Sequence, residues 1–286
     1  MIGTYFKERM ITINKDKYYI LKHKNGKCYL IPLTIKKSKC KKRKKTCLKK
    51  SKCTKCQQKC LKKCLKTCKK KSLKDYKKIA IEVPKPQGVK NVPTHIHFYL
   101  HKSFTKEQEN RIRRGISLLL DRWYTHHNQK WDGGTNAGTS ELAACTDRYA
   151  TKKFKPVWAK SSVPNAIAAT NLAMNQFTQL IRDNGFKKSP PAIIDPRSST
   201  TIYAPTASTK RRVPLSLQIN PKQLDSQALT DLKLSGSMFH AWLHRAGWTD
   251  PKVTSYFISE CPMCIMRNLN SKQPAFPDSG NYKFFD

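Results

Sequence analysis

Carboxylates are scarce in this chain: 18 Asp and Glu stand against 57 Lys and Arg, a formal net charge of +39. A balance of that sign points to an anionic partner, either nucleic acid, an anionic membrane surface or another acidic macromolecule. Long hydrophobic runs are also missing. No stretch reaches the roughly 20 apolar residues that a membrane span requires. The longest apolar run in the first 35 residues, at 18–21, is too short for a secretory signal. The expectation is a protein with no membrane span and no signal peptide, on the cytosolic or nuclear side. Hydrophobic residues still make up 38% of the 286, which excludes global disorder and allows one large domain or two small ones.

Aromatic and acidic residues are both absent from residues 36–72, a segment in which every second position on average is Lys or Arg. Mutual repulsion predicts an extended or partly helical arm there. Releasing counterions on binding a polyanion would give it a steeply salt-dependent, sequence-independent affinity. The run Lys41, Lys42, Arg43, Lys44, Lys45 is the densest part, of the kind that reads as a nuclear-import or nucleic-acid patch. Without Phe, Tyr or Trp the arm cannot stack on bases, which argues against specific single-strand recognition by the arm. Seven of the eleven cysteines fall within it. They are a local device for zinc, cross-linking or a helical stripe, rather than a framework for the whole chain.

Composition divides the chain into four parts. Residues 1–35 hold two β-rich runs, 17–23 and 27–35, around Asn25-Gly26, a pair suited to the positive φ of a tight turn, so a small β-hairpin is predicted. The basic arm follows at 36–72. Residues 73–92, with Pro84, Pro86 and Gly88, read as a linker. The main domain is predicted over 93–286. It opens with a strand at 92–101 and a helix announced by the capping box Thr105 and Gln108, with Ile112, Ile116, Leu119, Leu120 and Trp123 at helical spacing. A second helix is expected at 165–184 with Gly185 as its stop, and short strands at 200–204 and 213–219. The fold class is α+β, with a mixed sheet and long helices.

Chemistry is concentrated in HAWLHRAGWTD, residues 240–250. His240 and His244, four apart, project from one face of a helix with a separation suited to one tetrahedral zinc. Gly247 stands where that helix can end in a left-handed turn, and the chain beyond can return Asp250 as a third ligand. Cys264-Ile265-Met266 follows within CPMCIMR. These residues resemble the metzincin clan of zinc metalloproteases, whose pattern is HExxHxxGxxH, or xxD in some members, followed by a methionine-bearing turn beneath the metal. His240, His244, Gly247, Asp250 and Met266 match in order. The resemblance covers about residues 93–286 and implies a zinc cofactor held by His240, His244 and Asp250, with a peptide as ligand of the zinc cleft. It also implies that Met266 lies in the turn.

One position departs from the pattern. Ala241 occupies the place of the glutamate that takes a proton from zinc-bound water, and a methyl group cannot do so. Loss of a general base typically costs about 10²- to 10⁴-fold in rate. Glu260 is a second carboxylate nearby in sequence. A competing arrangement joins Cys261 and Cys264 to the two histidines as a closed structural zinc site, and a Cys261–Cys264 disulfide is another alternative. His95, His97 and His101 share one strand face and read as ordinary strand residues. His126 and His127 are placed beyond the end of the first long helix. The reading is a zinc-binding, metzincin-like domain with little or no proteolytic activity, tethered to nucleic acid or another polyanion through residues 36–72. The alternatives are an active zinc metalloprotease and a structural nucleic-acid packaging protein.

Overall fold

The computed structural model describes residues 8–14, 17–24, 27–33, 73–198, 202–203, 215–249, 251–273 and 278–285. The chain divides into two compact units, Met1–Ser72 and Leu73–Asp286. The run Lys41 to Lys45, the rest of the arm and Asp250 lie outside the described residues.

In the first unit three strands, β1 (Glu8–Asn14), β2 (Lys17–Lys24) and β3 (Lys27–Leu33), form an antiparallel sheet in that order. The predicted hairpin is its second half, with Tyr18 opposite Leu33 and Lys24 opposite Lys27. The strand at 8–14 is additional to that hairpin.

The second unit is α+β. Its five-stranded mixed sheet contains β4 (Tyr76–Glu82), β5 (His95–His101), β6 (Ala192–Pro196), β7 (Ile202–Tyr203) and β8 (Leu217–Ile219), in the order β4-β5-β6-β8-β7. β5, β6 and β8 run parallel, and the two outer strands are antiparallel to their neighbours. The predicted linker is therefore corrected, since β4 belongs to the sheet and the boundary falls near residue 72 rather than 92. Lys77 and Lys78 disguise the strand, but Ile79, Ile81 and Val83 alternate into the core while Lys78, Ala80 and Glu82 face solvent. Lys77 also forms an ion pair with Glu109 on the next helix, and Arg113 holds the other oxygen of that buried carboxylate at 2.8 Å.

Between β5 and β6 the parallel crossover carries three helices, α1 (Lys106–Lys130), α2 (Glu141–Tyr149) and α3 (Ala166–Gly185). The predicted capping box opens α1. Gln108 N donates to Thr105 Oγ1 at 3.2 Å, and Thr105 N donates to Gln108 Oε1 at 3.0 Å. α1 runs through His126 and His127 instead of ending before them, because both rings fit into the core. α3 begins where the sequence predicts a helix start, and Asn165 caps it, with Ala168 N donating to Asn165 Oδ1 at 2.8 Å. Its Asn184 both accepts from His97 N and donates to His97 O, doing for β5 what a neighbouring strand would do.

After β8 come a short α4 (Pro221–Leu224), α5 (Asp231–Arg245), α6 (Phe257–Met266) and a 3-10 segment, Asp278–Phe284. α5 is capped by Thr230, whose Oγ1 accepts from Lys233 N at 3.3 Å. It crosses two other helices closely. Gly115 of α1 faces Leu234 and Met238, and Gly236 of α5 faces Met266 and the Pro262 carbonyl of α6. Phe239 and Trp242 continue the core towards α3, where both meet Phe177. Phe177 stacks on Trp242 with ring centroids 5.3 Å apart, an arrangement that adds to the area the two rings bury.

Candidate metal centre

The helical spacing of His240 and His244 places the two rings one turn apart on α5. Their centroids are 4.8 Å apart with planes at 89°, and the Nε2 atoms face each other at 3.2 Å. Each Nδ1 points to a backbone carbonyl, that of His240 to Ile258 O at 2.9 Å and that of His244 to Trp248 O at 3.2 Å. A carbonyl oxygen only accepts, so each ring carries a proton on Nδ1 and turns its Nε2 towards the other ring. His240 is fully buried, its ring parallel to Phe285 at 4.1 Å, whereas His244 is half-buried. Desolvation, then the nearby His244, push the pKa of His240 well below its ordinary 6.5, which keeps the ring neutral.

The helix ends as the sequence predicts. Gly247 has φ of +99°, its N–H donates to His244 O at 3.1 Å, and Trp248 N donates to Leu243 O at 3.0 Å, the paired bonds of a Schellman cap. Glycine is required twice over here, since a Cβ at residue 247 would come 2.5 Å from Trp158 Cδ1. By turning the chain, this cap brings Trp248 O back to His244 Nδ1, so the stop signal and the tautomer of the second histidine are physically linked.

The other candidates named from the sequence are arranged differently. Met266 does not lie in a turn: it is the last residue of α6, and its side chain packs at Gly236, a full helical turn before His240. The closed zinc site with Cys261 and Cys264 is overturned, because Cys264 forms a disulfide with Cys145 of α2. The alternative Cys261–Cys264 disulfide falls with it. Cys261 is a buried free thiol, pushed up to about 12 mainly by desolvation. Spacing along one helix conceals the Cys145 partner, which is 119 residues away in sequence.

Ala241 is fully buried and adds only a methyl group to the core. Glu260 does not replace the missing glutamate. Its Oε1 accepts from Thr254 Oγ1 at 2.9 Å, Ser255 N at 2.9 Å and Lys272 Nζ at 2.8 Å, which commits it to stapling the segment before α6. Of the strand histidines, His95 Nδ1 bonds Thr94 Oγ1 at 3.1 Å and His101 Nδ1 bonds Ser103 Oγ at 2.7 Å. Among the described residues, no three His, Cys, Asp or Glu side chains gather as a metal-ligand group. Cavities of 460 and 430 Å³ exist, and neither is lined by His240 or His244. No helix among the described residues is long and apolar enough to cross a membrane.

No family model, curated protein or solved structure matches this chain.

Proposed function

We propose that His240 and His244 hold a zinc ion, with Asp250 as the third ligand, in a metzincin-like domain that binds more than it cleaves. The observation that carries this reading is the pair of facing Nε2 atoms. Two imidazole nitrogens that face each other at 3.2 Å are held either by a shared proton or by a metal ion between them. Two nitrogens on one tetrahedral zinc, each bonded at about 2.0–2.1 Å, are separated by about 3.3 Å, so the donor pair fits the ion. The carbonyls of Ile258 and Trp248 do what outer hydrogen-bond partners do at such sites, fixing the tautomer and the ring orientation.

Zinc in that position would supply Lewis acidity towards a carbonyl oxygen or a water. The protein side of peptide hydrolysis is weaker. Ala241 cannot move a proton, Glu260 is engaged elsewhere, and Phe285 covers His240. Loss of the general base alone implies a deficit of about 10²- to 10⁴-fold. The enzyme reading, an active zinc metalloprotease, is therefore second to a binding role. The basic arm, residues 36–72, serves in this reading to hold the protein on nucleic acid or another polyanion. The third reading, a structural packaging protein, rests on the composition of that arm alone. The excess of positive charge supports a nucleic-acid-associated setting, whereas the Cys145–Cys264 disulfide favours an oxidising compartment over the intracellular one expected from the sequence.

Metal analysis of the full chain tests the centre. Since the arm cysteines can also take zinc, the reading is a difference: His240→Ala and His244→Ala should each remove one zinc per chain. Unchanged metal content in both variants would refute the proposal. Peptide cleavage should be negligible in the unmodified chain and should rise in Ala241→Glu. For the arm, DNA affinity across a salt series should lose most of its slope when residues 36–72 are deleted.

A further inference from the structure

We infer that the loop at residues 152–163 is a docking surface for single-stranded nucleic acid, on which Trp158 stacks a base while Lys152, Lys153, Lys155 and Lys160 meet the phosphates. The site shares no side chain with the histidine pair or the arm, although the carbonyls of Ala246 and Gly247 that hold it belong to the cap of the histidine helix.

Charge comes first. Residues 148–182 contain six Lys and Arg and no Asp or Glu. All four loop lysines are exposed, and none forms an ion pair with a described carboxylate. Their charge is therefore not neutralised within the described fold, and an anion that meets it releases counterions. Lys155 Nζ reaches back to Lys160 O at 3.0 Å, which holds the loop in a closed curve beside a 430 Å³ open cavity lined by Lys153, Phe154 and Val163 among others.

The second observation concerns the aromatic residue. Trp158 is 43% exposed and Val157 73%, although most of the other tryptophans are buried. Exposure of this kind usually comes with mobility, yet this indole is fixed. Its Nε1 donates to Ala246 O, Val157 N donates to Gly247 O at 2.8 Å, and Trp248 Nε1 holds Phe154 O at 3.2 Å. The other end of the loop is tied by Lys152 N to Ser255 O at 2.9 Å and by Phe257 N to Lys152 O at 3.0 Å. With its one polar atom satisfied inside the protein, Trp158 offers a partner its apolar surface alone, at little further cost in entropy. An aromatic platform flanked by lysines without acidic partners is the recurring chemistry of single-strand binding. Duplex DNA, whose bases are already stacked, would use the lysines and leave the indole idle. The loop thus contributes the stacking that the arm, with no aromatic residue, cannot.

The test uses the full chain and an oligothymidylate of about 12 nucleotides, with tryptophan fluorescence and anisotropy read together. The oligonucleotide should quench fluorescence, and Trp158→Leu should abolish the quenching and weaken binding at least about fivefold. Trp158→Phe, which keeps a ring, should restore much of the affinity. Replacing the four lysines by Gln should lower the salt slope by about 3. Heparin, a polyanion without bases, should bind without quenching. Binding of equal strength with no Trp158-dependent quenching would assign the contact to the arm alone and overturn the inference. Failure to bind, or preference for polyglutamate as a protein-like acidic ligand, would overturn it as well.

Discussion

Acidification from pH 7 to pH 5 should destabilise the folded unit by about 4 kcal/mol through two histidines on α1. His126 is 1% exposed and His127 6%, and burial pushes their pKa values down to about 3 and about 4. Both rings are tied while neutral, His126 Nδ1 with Ser140 Oγ at 2.6 Å and His127 Nε2 with Thr178 Oγ1 at 3.1 Å. In the unfolded chain each titrates near 6.5, so at pH 5 the unfolded state binds two protons that the folded state does not. The folded pKa values are depressed, so the stability is complete above about 6.5 and is lost as the pH falls towards 4 and 3. The size of the effect is insensitive to the folded values. Each histidine contributes about 1.5 pH units of unmatched protonation at about 1.36 kcal/mol per unit, or about 2 kcal/mol. Against a total of about 5–15 kcal/mol this is a large fraction, equivalent to a Tm decrease of about 8–16 °C. Urea titrations at the two pH values measure it. His126→Gln should remove about 2 kcal/mol of the pH dependence, although it lowers stability at pH 7. Equal stability at pH 7 and pH 5 would show that these rings are not both neutral and buried.

Two further predictions concern the helices around the candidate centre. Replacing both Cys145 and Cys264 by Ala opens a loop that the disulfide closes over 119 residues, which should cost about 5 kcal/mol; a urea midpoint indifferent to reducing agent would refute this. Gly236→Ala puts a methyl against Met266 Cγ and the Pro262 carbonyl. Stability should then fall by about 1–3 kcal/mol, and Met266→Ala in the same chain should recover only part, since the carbonyl remains.

Local signals carried much of the fold. The capping box at Thr105, the helix start near Asn165, the strand at His95–His101 and the glycine stop at Gly247 each depend on a few adjacent residues, and each is found where the sequence places it. Elements that lack such a signal are not legible in the same way. β4 is concealed by its lysines. α2 and α6 are short and owe their stability to packing rather than to a long periodic pattern. Proline at 262 and the neighbouring cysteines make α6 look like a ligand loop, whereas the core that surrounds it keeps it helical.

At the candidate centre the division is similar. The sequence by itself determined the spacing of His240 and His244, the reversal at Gly247 and the absence of a carboxylate at Ala241, because helix geometry and residue chemistry are local properties. Only the tertiary structure decided which carbonyls face the imidazoles, that Phe285 covers one of them, that Cys264 is bonded to Cys145 and that Met266 packs at Gly236. Those pairings join residues that are distant along the chain, and their partners are selected by how the helices pack around one another.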